Sequence, residues 1–232
     1  MDARVAVMAG GTGGHVCPAL AVAELLREHG AGVFWIGTRR GMESRLVPEH
    51  GFPMEWIEIE GVRGKGLGQM AAAPFKLFGA LAQARAILRR RGANLALGMG
   101  GFASGPGGLA ARALGIPLVI HEQNFVPGMT NQWLARIARR VFEAFPGSFP
   151  AARGAIATGN PVRAAITALA PPDERFAGRS GPPRVLVVGG SLGAKVLNET
   201  LPTALALLPK QDRPQVRHQA GQQTLEIARQ AY

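Results

Sequence analysis

Arg4-Val5-Ala6-Val7-Met8-Ala9-Gly10-Gly11-Thr12-Gly13-Gly14-His15 decides the fold. An apolar run that passes directly into a glycine-rich turn and then a helix reads as a buried parallel strand. The helix that follows such a turn has unpaired amides at its N-terminus, which suit an anion such as a nucleotide diphosphate. The same design returns at Arg184-Val185-Leu186-Val187-Val188-Gly189-Gly190-Ser191-Leu192-Gly193-Ala194. Two such turns predict two nucleotide-type halves facing one cleft.

Between and around these turns, apolar runs alternate with helical patterns. Strands are expected at residues 5–8, 33–36, 54–59, 95–97, 118–120, 141–143, 155–158, 185–188 and 216–218. Helices are expected at 18–29, 72–90, 106–114, 130–138, 194–208 and from 222 onward. Regular alternation of this kind predicts an α/β protein built from parallel βαβ units. Pro, Gly and Ser cluster at 146–150, 159–161 and 171–183. We therefore expect a doubly wound domain over residues 1–160 and a second Rossmann-like domain beginning at 161. Only 72 residues follow from Pro161. A complete nucleotide domain takes about 100 to 150, so the second domain is expected to be incomplete.

Composition narrows the class. The chain has 232 residues, 47% of them hydrophobic, with 32 glycines, as suits a compact protein with many tight turns. Its one cysteine, Cys17, allows no internal disulfide and fits a reducing compartment. A strand pattern follows Met1-Asp2 directly, and no export signal is expected. The net charge of +11 is unevenly placed. Residues 1–60 carry five basic and eight acidic side chains, whereas 61–91 carry Arg63, Lys65, Lys76, Arg85, Arg89, Arg90 and Arg91 with no acid. Phe75, Leu77, Phe78, Leu81, Ile87 and Leu88 lie among these charges, a mixture suited to an anionic membrane surface or simply to a solvated helix face. Lys76 and Arg85 interrupt the segment, so it is too broken to span a bilayer. No nucleic-acid module accompanies the charge, and no nucleic-acid partner is expected.

The first turn is not a dinucleotide fingerprint. Its third glycine would fall at Val16, and Arg39 and Arg40 stand where the ribose-binding acid belongs. Lys65 is followed by Gly66, so no GxxxxGK[ST] loop exists. Gly189 to Gly193 matches GxSxG, and Asp212 and His218 follow in the order of a serine hydrolase, within 27 residues of Ser191. Repetition of the first turn explains Ser191 more simply, as part of a phosphate cradle. His15 closes the first turn, where a neutral imidazole could serve as a base. His121-Glu122-Gln123-Asn124 gathers polar groups where a buried strand ends, the edge at which open parallel sheets bind ligands. Gly100-Gly101-Phe102-Ala103-Ser104-Gly105-Pro106 is a third glycine loop on that edge, and Arg163 is a cation at the domain junction. No Cys or His spacing suggests a metal site.

Six strings, GGTGGHVCPALAVA at 10–23, GVRGKG at 61–66, GMGGFASGPGG at 98–108, HEQN at 121–124, TGNPVR at 158–163 and GGSLGAKVLN at 189–198, together resemble the MurG family of bacterial cell-wall N-acetylglucosaminyltransferases. The resemblance implies the two-domain GT-B architecture. It also implies transfer of N-acetylglucosamine from UDP-N-acetylglucosamine to a polyprenyl-diphosphate-linked muramoyl-peptide (lipid I), giving lipid II with inversion, by a peripheral enzyme on the cytoplasmic face of the membrane. By matching motif positions, Thr12, Gly13, Gly14, Asn124, Arg163 and Ser191 would contact the donor, and His15 and Glu122 are the candidates for the base. Gly11, Arg63, Lys65, Gly101, Phe102 and Ser104 would line loops facing the acceptor and its diphosphate. Phe75, Lys76, Phe78, Arg85, Arg89, Arg90 and Arg91 would face the membrane. No cofactor or metal is implied if Arg163 and the turn amides carry the diphosphate charge. Phe102 and Leu192 stand where the family commonly has tyrosine and glutamine. The family's later segment, which supplies the uracil pocket, is not in this chain. The alternatives are a membrane- and acceptor-binding module without catalysis, and a serine hydrolase built on Ser191.

Overall fold

The computed structural model describes residues 3–59, 67–190 and 193–232. They form two compact units, Met1–Ala168 and Leu169–Tyr232. The first unit runs β1 (Arg4–Met8), α1 (Gly13–Glu28), β2 (Gly32–Gly37), α2 (Glu43–Glu49), β3 (Met54–Trp56), α3 (Leu67–Arg91) and β4 (Leu95–Gly98). It continues through α4 (Ser104–Ala113), β5 (Leu118–Glu122), α5 (Met129–Leu134), β6 (Arg140–Glu143), β7 (Ile156–Ala157) and α6 (Ala164–Thr167).

Its seven strands are all parallel, in the order β3-β2-β1-β4-β5-β6-β7. The α/β class and the doubly wound sheet are as the alternation of runs predicts. Strands buried on both faces need apolar side chains on both, which is why β1 reads as an unbroken apolar run. Val5, Val7, Val33, Trp35 and Leu97 pack on one face against Val16, Ala19, Leu20 and Ala23 of α1 and Val47 of α2. Ala6, Met8, Phe34, Ile36, Ala96 and Ile120 pack on the other against α3, α4 and α5. Ala80, Ala84, Ile87 and Leu88 give α3 one apolar stripe at the spacing of an amphipathic helix. The chain reverses its winding between β1 and β4, and the C-terminal ends of those strands are where a doubly wound sheet leaves a crevice.

All nine predicted strands form, with those at 54–59 and 155–158 shortened to Met54–Trp56 and Ile156–Ala157. Three helices escape the sequence: α2, α6 and, in the second unit, α7 (Pro172–Phe176). Each is too short to show a helical period. Helix α1 begins at Gly13 rather than Pro18, because Pro18 removes only one ladder bond near the helix start. The charge pattern gains a partner from outside the basic segment. Residues 61–91 contain no acid, but Glu55 on β3 reaches both Arg90 and Arg91 at 2.6 Å, so these two cations are paired while their side chains stay exposed.

The second unit continues with β8 (Arg184–Val188), α8 (Lys195–Ala206), β9 (Gln215–Gln219) and α9 (Leu225–Ala231). β8 and β9 pair in parallel from Arg184↔Gln215 to Val188↔Gln219, with α8 as the crossover and α9 packed on it. Gly189 N–H donates to the Gln219 carbonyl, and the Gln219 side chain exchanges hydrogen bonds with the Gly190 backbone, which fixes the start of the second glycine turn.

Candidate functional site at the C-terminal sheet edge

The loops after β1 and β4 meet at the reversal point. Gly10 N–H donates to the Gly100 carbonyl at 3.3 Å. Gly101 has φ +86°, and a Cβ there would lie 2.4 Å from the Gly10 carbonyl oxygen, so only glycine permits this approach. Gly100, at φ +98°, lies so close to His15 that a Cβ would fall 2.6 Å from its Nδ1. The buried Ser104 hydroxyl sits 2.7 Å from the Met8 carbonyl and 2.8 Å from that of Gly100. It ties the two loops together instead of facing an acceptor diphosphate, which corrects its expected role.

Glu43 is the anchor that the sequence does not reveal. It is buried at the start of α2 and accepts from Gly11 N–H at 2.9 Å, Thr38 N–H at 3.0 Å and the Thr38 hydroxyl at 2.8 Å. Gly10, Gly37 and Gly41 leave the space it fills, since a Cβ on any of them would come within 2.7 Å of its side chain. The Gly11 amide, expected to face the acceptor, is therefore taken by Glu43. Gly13 and Gly14 open α1, so their amides have no preceding helical carbonyl. Thr12 and Gly14 are exposed beside them.

The end of β5 supplies the other wall. Glu122 is buried, and its two oxygens accept from Asn124 N–H, Asn124 Nδ2, Gly128 N–H and Asn131 Nδ2 at 2.9–3.1 Å. Four donors commit this carboxylate to holding the β5–α5 loop, so it does not stand free as a base. Glu143, its register neighbour on β6, anchors the next loop through Gly147 and Phe149 N–H, both at 3.0 Å. Asn124 is exposed, with its Nδ2 used by Glu122 and its Oδ1 available.

His15 is half-buried, and its Nδ1 lies 2.9 Å from Gln123 Oε1. Gln123 Nε2 lies 3.1 Å from both the Nδ1 and the carbonyl oxygen of His121. His121 Nε2 reaches the Gly159 carbonyl at 3.0 Å. Burial pushes His121 below the ordinary imidazole value, against the opposing pull of the Gly159 carbonyl and the Glu122 charge. Asn160 Nδ2 donates to the Gln123 carbonyl at 3.1 Å, bringing the segment after β7 to the same edge.

Phe102 is exposed on the β4 loop, and Arg163 is exposed immediately before α6. Phe75 and Phe78 on α3 are 82% and 73% exposed, with Lys76 and Arg89 also exposed and Arg85 half-buried. Arg63, Lys65 and Ser191 lie outside the described residues. His218 directs Nδ1, the nitrogen a triad acid would hold, to the Tyr232 hydroxyl at 3.1 Å, which disfavours the hydrolase reading. Among the described residues no helix is long and apolar enough to cross a membrane.

Comparison with known proteins identifies the family. The Glycosyltransferase family 28 N-terminal domain matches residues 5–143, and the family's C-terminal domain matches 184–232. A UDP-N-acetylglucosamine--N-acetylmuramyl-(pentapeptide) pyrophosphoryl-undecaprenol N-acetylglucosamine transferase from Alkalilimnicola ehrlichii is 56% identical over 232 residues, and its namesake from Photobacterium profundum is 53% identical over 229. The matches cover 100% and 99% of this chain but 65% and 63% of those proteins, so the chain spans under two thirds of their length. The crystal structure of Acinetobacter baumannii MurG superposes with a TM-score of 0.74 at 42% identity, covering 99% of this chain and 62% of that one. A Neisseria meningitidis UDP-GlcNAc 2-epimerase bound to UDP-GlcNAc has a TM-score of 0.60 at 13% identity, covering 100% of this chain and 69% of that one, a likeness of fold alone. With the family's N-terminal domain spanning most of the first unit, the chain belongs to glycosyltransferase family 28.

Proposed function

We propose that the protein carrying this chain transfers N-acetylglucosamine from UDP-N-acetylglucosamine to lipid I, forming lipid II with inversion at the anomeric carbon. One observation carries the reading: His15 sits at the reversal point of the sheet, between two glycine loops, with Nε2 left without a hydrogen-bond partner among the described residues. In a single displacement, that nitrogen takes the proton of the acceptor hydroxyl as the oxygen attacks the anomeric carbon, and UDP departs. The amides of Gly13 and Gly14 and the cation of Arg163 stabilise charge on the diphosphates, with Ser191 and Asn124 as further donor contacts. Glu122 shapes the loop that carries Asn124.

Residues 1–160 are assigned to the acceptor and the membrane, and the chain from 161 opens the donor domain. The exposed Phe75, Lys76, Phe78 and Arg89 of α3, with half-buried Arg85 among them, would rest on the anionic surface that holds the lipid acceptor, at the cytoplasmic side.

The test is transfer of labelled sugar from UDP-N-acetylglucosamine to a lipid I analogue in vesicles, with the product's anomeric configuration read by NMR. A β-linked disaccharide is expected from the α-linked donor. Retention of configuration, or release of free sugar without transfer, would refute the proposal.

A further inference from the structure

Two backbone carbonyls lie along the chain of contacts behind His15, and a carbonyl oxygen can only accept a hydrogen bond. Facing the Gly159 carbonyl at 3.0 Å, His121 Nε2 must carry its hydrogen. Neutral His121, which burial favours, then has a bare Nδ1 that must accept. The donor to it is Gln123 Nε2, whose other hydrogen goes to the His121 carbonyl. That second bond fixes which way the amide faces, because the flipped amide would set oxygen against oxygen and against a bare ring nitrogen. Gln123 Oε1 is therefore directed at His15 Nδ1, 2.9 Å away, and receives its hydrogen.

We propose that His121 and Gln123 are positioning residues that hold His15 as its Nδ1–H tautomer, with Nε2 bare and turned away from the relay. The catalytic consequence rests on the reading of His15 as the base. An unconstrained histidine side chain in water favours the opposite tautomer, with hydrogen on Nε2, where it could take no proton from an acceptor. The relay reverses that preference with neutral groups alone. Gln123 is buried, and it is suited to the task because an amide both donates and accepts. Leucine would do neither, while glutamate would accept from His15 without donating to His121.

Nitrogen-15 NMR of the histidine rings in the full chain reads both tautomers directly, without any assay of activity. The expected result is a pyrrole-type Nδ1 and pyridine-type Nε2 for His15, with the reverse for His121. In Gln123→Leu, His15 should change to the Nε2–H form, with sugar transfer falling on the order of 10- to 100-fold, by analogy with losing the partner that orients a metal-bound histidine. Gln123→Glu should keep the His15 tautomer and recover part of that loss, a rescue that general loss of folding would not give. An Nε2–H form of His15 in the parent chain, or an unchanged His15 tautomer in Gln123→Leu, overturns the proposal. Tautomers as stated, together with full activity in His15→Ala, would uphold the relay and refute the base reading it serves.

Discussion

Glu43 shows how much of this site depends on one side chain that contacts no ligand in the proposed chemistry. Glu43→Ala would remove the acceptor of Gly11 N–H, Thr38 N–H and the Thr38 hydroxyl, at about 0.5 to 1.5 kcal/mol for each bond, because exposed Gly11 and half-buried Thr38 can turn to water. The three together should cost about 3 kcal/mol and lower the melting temperature clearly; an unchanged melt would show that water replaces the carboxylate without penalty. Glu43→Gln should also destabilise, since an amide N–H cannot replace an accepting oxygen. His121 gives a second outcome at this scale. Its pKa is lower folded than unfolded, so the unfolded chain binds more protons as pH falls below about 6.5. Its contribution is complete above that pH and lost as pH drops through the folded value. Urea midpoints at pH 7.5 and 5.5 should therefore differ less in His121→Asn than in the parent, and an equal difference would contradict the burial argument. Glu43 and Gln123 are not legible in the sequence because their roles come from neighbours brought together by the fold. Glu43 answers glycines up to 33 positions before it in the chain, and Gln123 bonds a histidine 108 positions away. His15, by contrast, is legible because its place depends only on a strand, a turn and a helix in succession.

Among the elements, the strands are the most legible, because parallel strands covered on both faces must be apolar along their whole length. Short helices such as α2 have no period to read, and the pairing of α3 with β3 is invisible because Glu55 lies outside the basic segment. That pairing separates the charges of α3 into two groups. Arg90 and Arg91 hold Glu55, whose side chain is only 14% exposed, so replacing both with Gln should lower stability while changing vesicle affinity little. Phe75→Ser with Phe78→Ser should do the opposite, weakening binding to anionic vesicles with the melting temperature unchanged. Co-sedimentation beside thermal melts distinguishes them. Equal loss of vesicle binding in both double variants would return Arg90 and Arg91 to the membrane surface. Added salt should release the parent from anionic vesicles, since surface attraction is screened over roughly 10 Å at 0.1 M.

At the scale of the molecule, a seven-stranded parallel sheet and a two-stranded unit each contain a strand that passes into a helix after a pair of glycines, β1 into α1 and β8 into α8, as the repeated strand-turn-helix pattern predicts. The first unit has two packed faces of its own, which is why its loops can be held as tightly as Ser104, Glu43 and Glu122 hold them. Those anchors make the edge rigid around one imidazole, and the central claim is that this imidazole moves the proton. The most direct measurement is the steady-state transfer of N-acetylglucosamine to a lipid I analogue by the whole protein, comparing parent, His15→Ala and Glu122→Ala with the KM for UDP-N-acetylglucosamine determined for each. Loss of a general base should lower kcat by about 10² to 10⁴-fold in His15→Ala with little change in that KM. Turnover within a few-fold of the parent in His15→Ala, with Glu122→Ala inactive though folded, would contradict the account and make Glu122 the base.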